Sequence, residues 1–353
     1  MTAVTAHRET ESATDGYDFG VVVVCYRSRH HVTALLELWP ADLRVVIVDN
    51  GSDVDGVRAV VDAHPNATYL DGMGVGYSRA ANMGAVRCDS AFVVFVNPDS
   101  RPTVTQLQAL ISGLRNDPTS ASHAATVTTP GGRPEIGVGG WEPTVPRALM
   151  SSLGLNNIWR RAGLYARPRP GEDLAPQWTT GACMAVRMDV FRQLGGFDER
   201  FFLYSEDVAF GRAVRAAGFR QVLRPDVTVA HSAGGSGAPS KEMHRVRGAS
   251  FANYLDTQPL HRRVGVLALT TLGFVLRAVV AGIRGRPQLA RLHAGYIQGI
   301  LTRTAHVGGR EVARSRHLEV TGHVSGADVE AHRGGRRLGA GGGLPFKGGP
   351  GGT

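Results

Sequence analysis

The sequence contains little cysteine, and its cysteine pattern argues against disulfide bonds and against a cysteine-bound zinc ion. Cys25, Cys88 and Cys183 are odd in number and widely separated, and no CxxC pair occurs. Such usage favours a reducing compartment. The polar segment Met1–Asp18 also lacks the apolar stretch of a signal peptide. These absences predict a cytoplasmic protein, with the inner face of the cytoplasmic membrane as the alternative location.

Lysine is almost absent, and the motifs that depend on it are missing. Only Lys241 and Lys347 occur, and no GxxxxGK[ST] sequence is present, which excludes a P-loop protein. The scarcity of lysine also argues against a nucleotidyltransferase, a class that usually relies on one. Arginine therefore carries nearly all of the positive charge.

That positive charge is concentrated late in the chain. Residues from Arg262 onward include 14 Lys/Arg and 4 Asp/Glu, whereas the first 261 residues include 25 and 26. A neutral body with a basic C-terminal region indicates an anionic partner, either nucleic acid or a membrane surface. Aromatic residues do not alternate with these arginines, so nucleic acid ranks last.

Strand and helix patterns alternate four times in the first part of the chain. The runs Gly20–Cys25, Arg44–Asp49, Ala67–Leu70 and Ala91–Val96 each predict a buried strand, and a helical pattern follows each of them. Short links between them are typical of a mostly parallel, Rossmann-type α/β sheet flanked by helices. We therefore predict a nucleotide-binding half at residues 18–120.

The later chain predicts a second half and an extension. Residues 121–261 complete a catalytic domain that spans residues 18–261, and Gly140–Glu172 has the composition of a covering loop. Residues 262–307 are predicted to be a helical extension, because Val264–Ile283 is apolar and flanked by arginines. Its composition favours a helix that is packed or lies at a membrane surface, with insertion as the alternative. Two terminal segments are predicted to be disordered, residues 1–17 and the low-complexity tail 308–353.

The predicted strand Ala91–Val96 ends at an acidic turn, Asn97-Pro98-Asp99. Ligands of open α/β sheets lie at the carboxyl ends of the strands. Asp99 is therefore a candidate ligand for a divalent cation that is held against the phosphates of a nucleotide, and oxygen ligands suit Mg²⁺ or Mn²⁺. The alternative is a turn in which Asp99 only caps the helix after Thr103.

Two further positions carry candidate chemistry. Glu206 and Asp207 begin a predicted helix, whose dipole favours their ionised forms, and adjacent residues on a helix face different ways. One carboxylate can therefore accept a proton from a sugar hydroxyl while the other supports it; the alternative is an acidic pair that only helps the helix to begin. His231 ends a predicted strand and is either a metal ligand or a structural histidine.

The glycine cluster Gly72, Gly74 and Gly76 precedes a predicted helix, so a dinucleotide site must be considered. The spacing is GxGxG instead of GxGxxG, and it follows the third strand instead of the first. We reject that interpretation. The interpretation that remains is a close approach of the backbone to the phosphate of a sugar nucleotide, with Arg79 nearby on the first turns of the helix.

Taken together, these segments resemble glycosyltransferase family 2, the inverting GT-A type, and its bacterial rhamnosyltransferase-like branch. The resemblance covers most of residues 19–236. The matching stretches are VVVVCYRS (21–28), VVIVDNGSD (45–53), GVGYSRAANMG (74–84), VNPDS (96–100), WTTGACMAVRMDVFRQLGGFDERFFLYSEDVAFGRAVRAAGF (178–219) and VAHSAGGS (229–236).

The resemblance implies a role for individual residues. It implies that the nucleotide sugar is bound by Tyr26, Asp49, Gly76, Arg79, Asn82 and Asp99, with Asp49 at the base. It implies that the divalent metal, Mn²⁺ or Mg²⁺, is bound by Asp99 and His231. It also implies that the general base is Asp207, with Glu206 beside it.

Three positions depart from the family pattern. Asn97 replaces the first acid of the DxD-type motif, Gly74 replaces an asparagine that often precedes Gly76 by two residues, and Ala209 replaces the last acid of EDxD. The resemblance implies transfer of a hexose or deoxyhexose to a glycan or polyprenyl-linked acceptor in cell-envelope polysaccharide synthesis. The alternative, which Ala209 permits, is a non-catalytic protein that binds sugar nucleotides or glycans.

Overall fold

The computed structural model describes residues 17–129, 131–135, 137–169, 174–231 and 240–321. The strands are β1 Phe19–Cys25, β2 Val45–Asp49, β3 Ala67–Asp71, β4 Phe92–Val96, β5 Ser120–Thr128, β6 Gly139–Gly140, β7 Trp178–Thr179, β8 Cys183–Arg187, β9 Arg220–Ala230, β10 His306–Val307 and β11 Arg310–Glu311. The helices are α1 Arg29–Leu38, α2 Val57–Asp62, α3 Tyr77–Cys88, α4 Val104–Arg115, α5 Val145–Ser152, α6 Met188–Gln193, α7 Glu206–Ala216, α8 Ser240–Leu255, α9 Leu260–Ile283, α10 Pro287–Thr302 and α11 Ala313–Thr321.

Seven strands form one mostly parallel sheet in the order β3-β2-β1-β4-β8-β5-β9. Strand β8 runs antiparallel to its neighbours β4 and β5, and the other pairs are parallel. Helices α3, α6 and α7 cover one face, and α1, α2 and α4 cover the other. The predicted α/β architecture is confirmed, including its four successive strand–helix units.

Two elements differ from the sequence expectation. Strand β5 (SASHAATVT) is buried along its whole length, although its small and polar residues give no strand pattern. The predicted covering loop Gly140–Glu172 contains helix α5, which begins next to a proline and buries Ala148 and Ser151. Proline is well tolerated in the first helical turn, and this helix is too short to give a clear period.

The C-terminal helices pack closely on the body. Helix α10 lies between α8 and α9, and α9 also packs on α5. The predicted boundary between residues 261 and 262 therefore falls within a set of helices that are in mutual contact.

The predicted disordered tail is wrong for residues 308–321, which form β11 and α11. This stretch has no glycine after Gly309, so its composition differs from that of the later tail. Arg316 of α11 donates from Nε to the carbonyl oxygen of Glu199, at 2.8 Å, and fixes the helix to the body. Residues 1–16 and 322–353 lie outside the described residues.

Helix α9 is the one helix, among the described residues, that is long and apolar enough to cross a membrane. Of its most apolar stretch, 22% is buried against the protein, so most of that stretch is exposed. Length and composition alone do not separate a membrane span from a helix that lies on a surface.

Candidate active site

A cavity of about 930 Å³ lies at the carboxyl ends of β1 and β4. It extends from the turns after those strands, past the start of α7, to a space between α8, α9 and α10. Five of the predicted site residues line this cavity: Tyr26, Gly76, Asp99, Asp207 and His231.

Asp99 and His231 meet at one end of the cavity. The His231 Nε2 atom lies 3.0 Å from Asp99 Oδ1, and the Nδ1 atom lies 3.2 Å from Glu135 Oε1. Ser100 pairs with His231 as an isolated β-bridge, so the turn after β4 and the end of β9 hold the two side chains in register. The two side chains are therefore close to each other, and their binding of one divalent cation stays a prediction.

Electrostatics favour an ionised pair at this position. Burial acts to raise the pKa of Asp99, but the hydrogen bond and the charge of His231 outweigh it, and the pKa of Asp99 is lowered. Burial acts to lower the pKa of His231, but Asp99 and Glu135 raise it overall. Asp99 does not cap the next helix, because Thr103 and Gln106 form the capping box of α4.

Asp207 and Glu206 point in different directions at the start of α7. Asp207 lines the cavity, whereas Glu206 is 7% exposed and its Oε2 atom has no hydrogen-bond partner among the described atoms. Tyr204 and Ser205 precede them with φ values of 67° and 71°. Consecutive left-handed non-glycine residues are uncommon and strained, and this turn aims the first turn of α7 at the cavity.

Burial controls the protonation of this acidic pair. The pKa of Glu206 is raised by burial and by the charge of Asp207, and the pKa of Asp207 is also raised by burial. The expectation that the helix dipole favours the ionised forms of both groups meets an opposing effect, because loss of hydration raises both pKa values. Arg247 and the backbone N–H of Val208 partly oppose the rise at Asp207.

Gly76 permits a close contact between two segments that line the cavity. Its φ is 90°, and a Cβ atom at this position would lie 2.5 Å from the carbonyl oxygen of Phe202. The N–H of Tyr77 donates to that same oxygen at 2.6 Å. Residue 76 must therefore be glycine, both because its φ is positive and because a Cβ atom would collide with Phe202.

Asp49 ends β2 but does not line the cavity. It is fully buried; Oδ1 accepts from the N–H of Gly51 at 2.7 Å and Oδ2 accepts from the N–H of Asp53 at 2.6 Å. The carboxylate thus shapes the turn that presents Asn50 to the cavity. Contact of Asp49 with a nucleotide base stays a prediction.

Arg79 and Asn82 also lie away from the cavity lining. Arg79 Nε lies 2.8 Å from Glu199 Oε2, and Asn82 accepts from the N–H of Phe197 at 2.8 Å. In this structure both residues join α3 to the segment that leads into α7. Their predicted contact with the nucleotide sugar is untested.

Ala209, which departs from the family pattern, lies between an apolar cluster and a second cavity. It packs with Val208 against the cluster that contains Phe201 and Phe251. It also lines a second cavity together with Arg200 and Arg212, so this position is only partly buried and lies near cations.

Sequence reasoning missed two arginines of the cavity, Arg247 and Arg310. The Arg247 guanidinium lies 4.4 Å from the centre of the Tyr204 ring, and Arg310 approaches Gly74 from β11. His244 and Arg247 are three residues apart on α8 and share a face. This spacing is the local signal that could have identified Arg247.

The donors available to a metal are few. No group of three or more His, Cys, Asp or Glu side chains is placed to hold a metal ion within the described residues. Asp99 and His231 offer one carboxylate and one imidazole at the wall of an open cavity. A bound diphosphate and water would have to supply the remaining ligands.

Comparison with known proteins gives consistent results. The model of the family described as glycosyl transferase family 2 matches residues 21–195. An N-acetylglucosaminyl-diphospho-decaprenol L-rhamnosyltransferase of Mycobacterium tuberculosis is 29% identical over 235 residues, which cover 60% of this chain and 75% of that protein. The low-salt glycan biosynthesis hexosyltransferase Agl10 of Haloferax volcanii is 27% identical over 199 residues, covering 55% and 60%.

A solved structure extends the agreement to the fold. The mannosyltransferase PcManGT from Pyrobaculum calidifontis, in complex with GDP-Man and Mn²⁺, matches with a TM-score of 0.50 and 14% identity, over 82% of this chain and 88% of that chain. Because the sheet, the motif segments and these matches agree, the chain belongs to glycosyl transferase family 2 and is a glycosyltransferase of the GT-A fold.

Proposed function

We propose that the protein transfers a hexose or deoxyhexose, with rhamnose as the first candidate, from a nucleoside diphosphate sugar to a hydroxyl of a lipid-linked glycan. The observation that carries the proposal is that Asp99, His231 and Asp207 line one cavity. The name of the mycobacterial relative supports rhamnose and a polyprenyl diphosphate acceptor. Synthesis of cell-envelope polysaccharide by a protein at the cytoplasmic side of the membrane is part of the same proposal.

The proposed reaction is a single displacement with inversion. The acceptor hydroxyl loses its proton to the Asp207 carboxylate, and its oxygen forms a bond to the anomeric carbon of the donor. The bond from that carbon to the diphosphate oxygen breaks, and the nucleoside diphosphate leaves with the electron pair. Holding donor and acceptor in line in one cavity would supply a large part of the rate.

Asp99 and His231 fit a divalent metal ion as a partial ligand set. Asp99 is held ionised by His231, and a carboxylate with an imidazole suits Mn²⁺ and, less well, Mg²⁺. A bound cation would neutralise charge that develops on the leaving diphosphate.

A panel of nucleotide sugars tests the proposal. We expect one donor to be transferred or slowly hydrolysed, and we expect Asp99→Asn to reduce kcat by about 10²-fold or more in the presence of Mn²⁺. Asp42→Asn, at an exposed position before β2, is the matched control and should be normal. An Asp99→Asn protein with unchanged activity at limiting and at saturating Mn²⁺ would contradict the metal assignment.

The same panel separates the alternative function. A non-catalytic protein that binds sugar nucleotides would show affinity for one donor but neither transfer nor hydrolysis with any acceptor. Such an outcome would overturn the proposed reaction.

A further inference from the structure

The cavity continues beyond Asp207 into a space whose charged lining is basic. His244 and Arg247 of α8 and His293 of α10 line this inner end. The carboxylates among the described lining residues are Asp99, Glu135 and Asp207, and the first two contact His231 at the other end. Within the described part of the chain, Asp207 is thus the lining carboxylate on which the charge of Arg247 acts.

Arg247 is the permanent cation of this inner end, and its charge acts on Asp207 and Glu206. Its guanidinium lies over the ring of Tyr204 at 4.4 Å, and no ion pair joins it to a carboxylate within the described residues. A cation that is partly removed from water favours an anion as its partner, and arginine can bind phosphate oxygens with two parallel hydrogen bonds.

Aromatic contacts hold the side chains around this inner end in place. Phe274 of α9 stacks on Tyr296 at 3.9 Å and lies 5.6 Å from the His293 ring. Arg277 lies over the ring of Phe274 at 5.3 Å. Burial, followed by the charges of Arg277 and His244, lowers the pKa of His293 and so favours its neutral form.

The outer surface next to this basic end is apolar. Helix α9 presents Phe274 to the cavity, whereas Leu272, Val275 and Leu276 are 51%, 40% and 45% exposed. A lipid chain on the outside of α9 would therefore lie about one helix diameter, roughly 10 Å, from the basic lining.

We propose that the inner end of the cavity is a subsite for the phosphate groups of a lipid diphosphate acceptor, with Arg247 as its principal contact. The inference rests on the proposed function. The lipid chain would lie along α9, and the first sugar of the acceptor would extend from the phosphates toward Asp207. The order along the cavity would be donor at Asp99, reacting hydroxyl at Asp207 and acceptor phosphate at Arg247.

The test measures binding of farnesyl diphosphate and of farnesol to the full chain, with a nucleoside diphosphate titrated separately. We expect the wild type to bind the diphosphate at least tenfold more tightly than the alcohol. Arg247→Gln should remove most of that difference without changing affinity for farnesol or for the nucleoside diphosphate. Arg247→Lys should restore part of it, since it keeps the charge but loses the planar fork.

Arg291→Gln is the matched control, because Arg291 is exposed on α10 and does not line the cavity. It removes one positive charge from the same set of helices and should leave the preference for the diphosphate intact. Equal loss in the Arg247→Gln and Arg291→Gln proteins would mean that net charge, and not the subsite, binds the phosphate.

The remaining outcomes separate the possible sources of the phosphate. Vesicles of phosphatidylglycerol in phosphatidylcholine should bind wild type and Arg247→Gln equally. If Arg247→Gln loses vesicle binding but keeps the preference for farnesyl diphosphate, the site binds bilayer headgroups and the inference fails. The inference is also overturned if the wild type shows no preference for farnesyl diphosphate over farnesol. If the wild type binds no nucleoside diphosphate at all, the proposed function itself is contradicted.

Discussion

Asp207 and Glu206 are adjacent in the sequence but have different surroundings, and the difference sets their roles. Asp207 reaches the cavity and receives a hydrogen bond from the backbone N–H of Val208 at 2.8 Å. Glu206 is enclosed and lacks such a partner on Oε2. A proton acceptor must be both reachable and ionisable, and only Asp207 meets both conditions.

We therefore expect Asp207→Asn and Glu206→Gln to differ in their kinetics. Asp207→Asn keeps the size of the side chain but removes its basicity, so kcat should fall by about 10²-fold or more while donor affinity is retained. Glu206→Gln should lower kcat by a smaller factor. Measurement of kcat alongside the donor dissociation constant decides between them, and an inactive Glu206→Gln with a nearly normal Asp207→Asn would reverse the assignment.

The raised pKa of Asp207 also predicts the acid side of the pH profile. Because the base must be deprotonated, kcat/KM should decline as the pH falls through a value above the ordinary range of an aspartate. Loss of activity only below the ordinary aspartate range would show that another group is the base.

Glu206 should make folding stability depend on pH. Burial raises its pKa in the folded state, so its stabilising contribution is present below the ordinary glutamate pKa and is lost as the pH rises through the raised value. Glu206→Gln should therefore have the same midpoint as wild type near pH 4 and a higher midpoint, by roughly 2–4 °C, in mildly alkaline buffer. Glu37→Gln, at an exposed position of α1, should show no such divergence.

At the scale of elements, the first four strand–helix units could be predicted, because each buried strand is a run of β-branched or aromatic residues. Helix α7 begins at Glu206, as the sequence predicts, and ends at Ala216. Strand β5 could not be predicted, since its alanines and serines are suited to close packing between β8 and β9 and have no alternation. The inner half of the cavity was also beyond prediction, because it depends on how α8, α9 and α10 contact one another.

The start of α3 requires glycine at position 76 because of the close contact with Phe202, and not only because of its positive φ. We expect Gly76→Ala to destabilise the protein by at least about 2 kcal/mol more than Gly218→Ala, as measured by urea unfolding. Both positions have similar φ values, 90° and 85°, but a Cβ atom meets Phe202 at position 76 and nothing within 4 Å at position 218. Equal destabilisation by the two substitutions would show that strain in φ, and not contact with Phe202, requires glycine at position 76.

At the scale of the whole molecule, the exposed face of α9 predicts how the protein meets a membrane. Val279 and Ile283 are 54% and 81% exposed, and arginines flank the helix. We expect α9 to lie on anionic lipid without spanning it, so that high salt or an alkaline wash releases the protein. A protein that only detergent releases would have an inserted helix.

A double substitution sharpens that test. Val279→Ser with Ile283→Ser should weaken binding to anionic vesicles by about tenfold or more, because two apolar side chains lose their contact with lipid. Val54→Ser, which alters a valine 68% exposed in the loop before α2, should have no effect. Equal vesicle binding by all three proteins would exclude α9 as the lipid-contacting surface.

The cavity draws its lining from Val24 at one extreme of the chain to Val312 at the other, and this has a consequence during synthesis. The sheet and both residues of the Asp99–His231 pair are encoded before α8 begins, so a nascent chain can form the donor end first. The basic inner end exists only after α8, α9 and α10 have left the ribosome and packed together. In the proposed function, a growing chain therefore holds the Asp99–His231 pair before it has the acceptor subsite, and the cavity is complete only when Arg310 of β11 reaches Gly74.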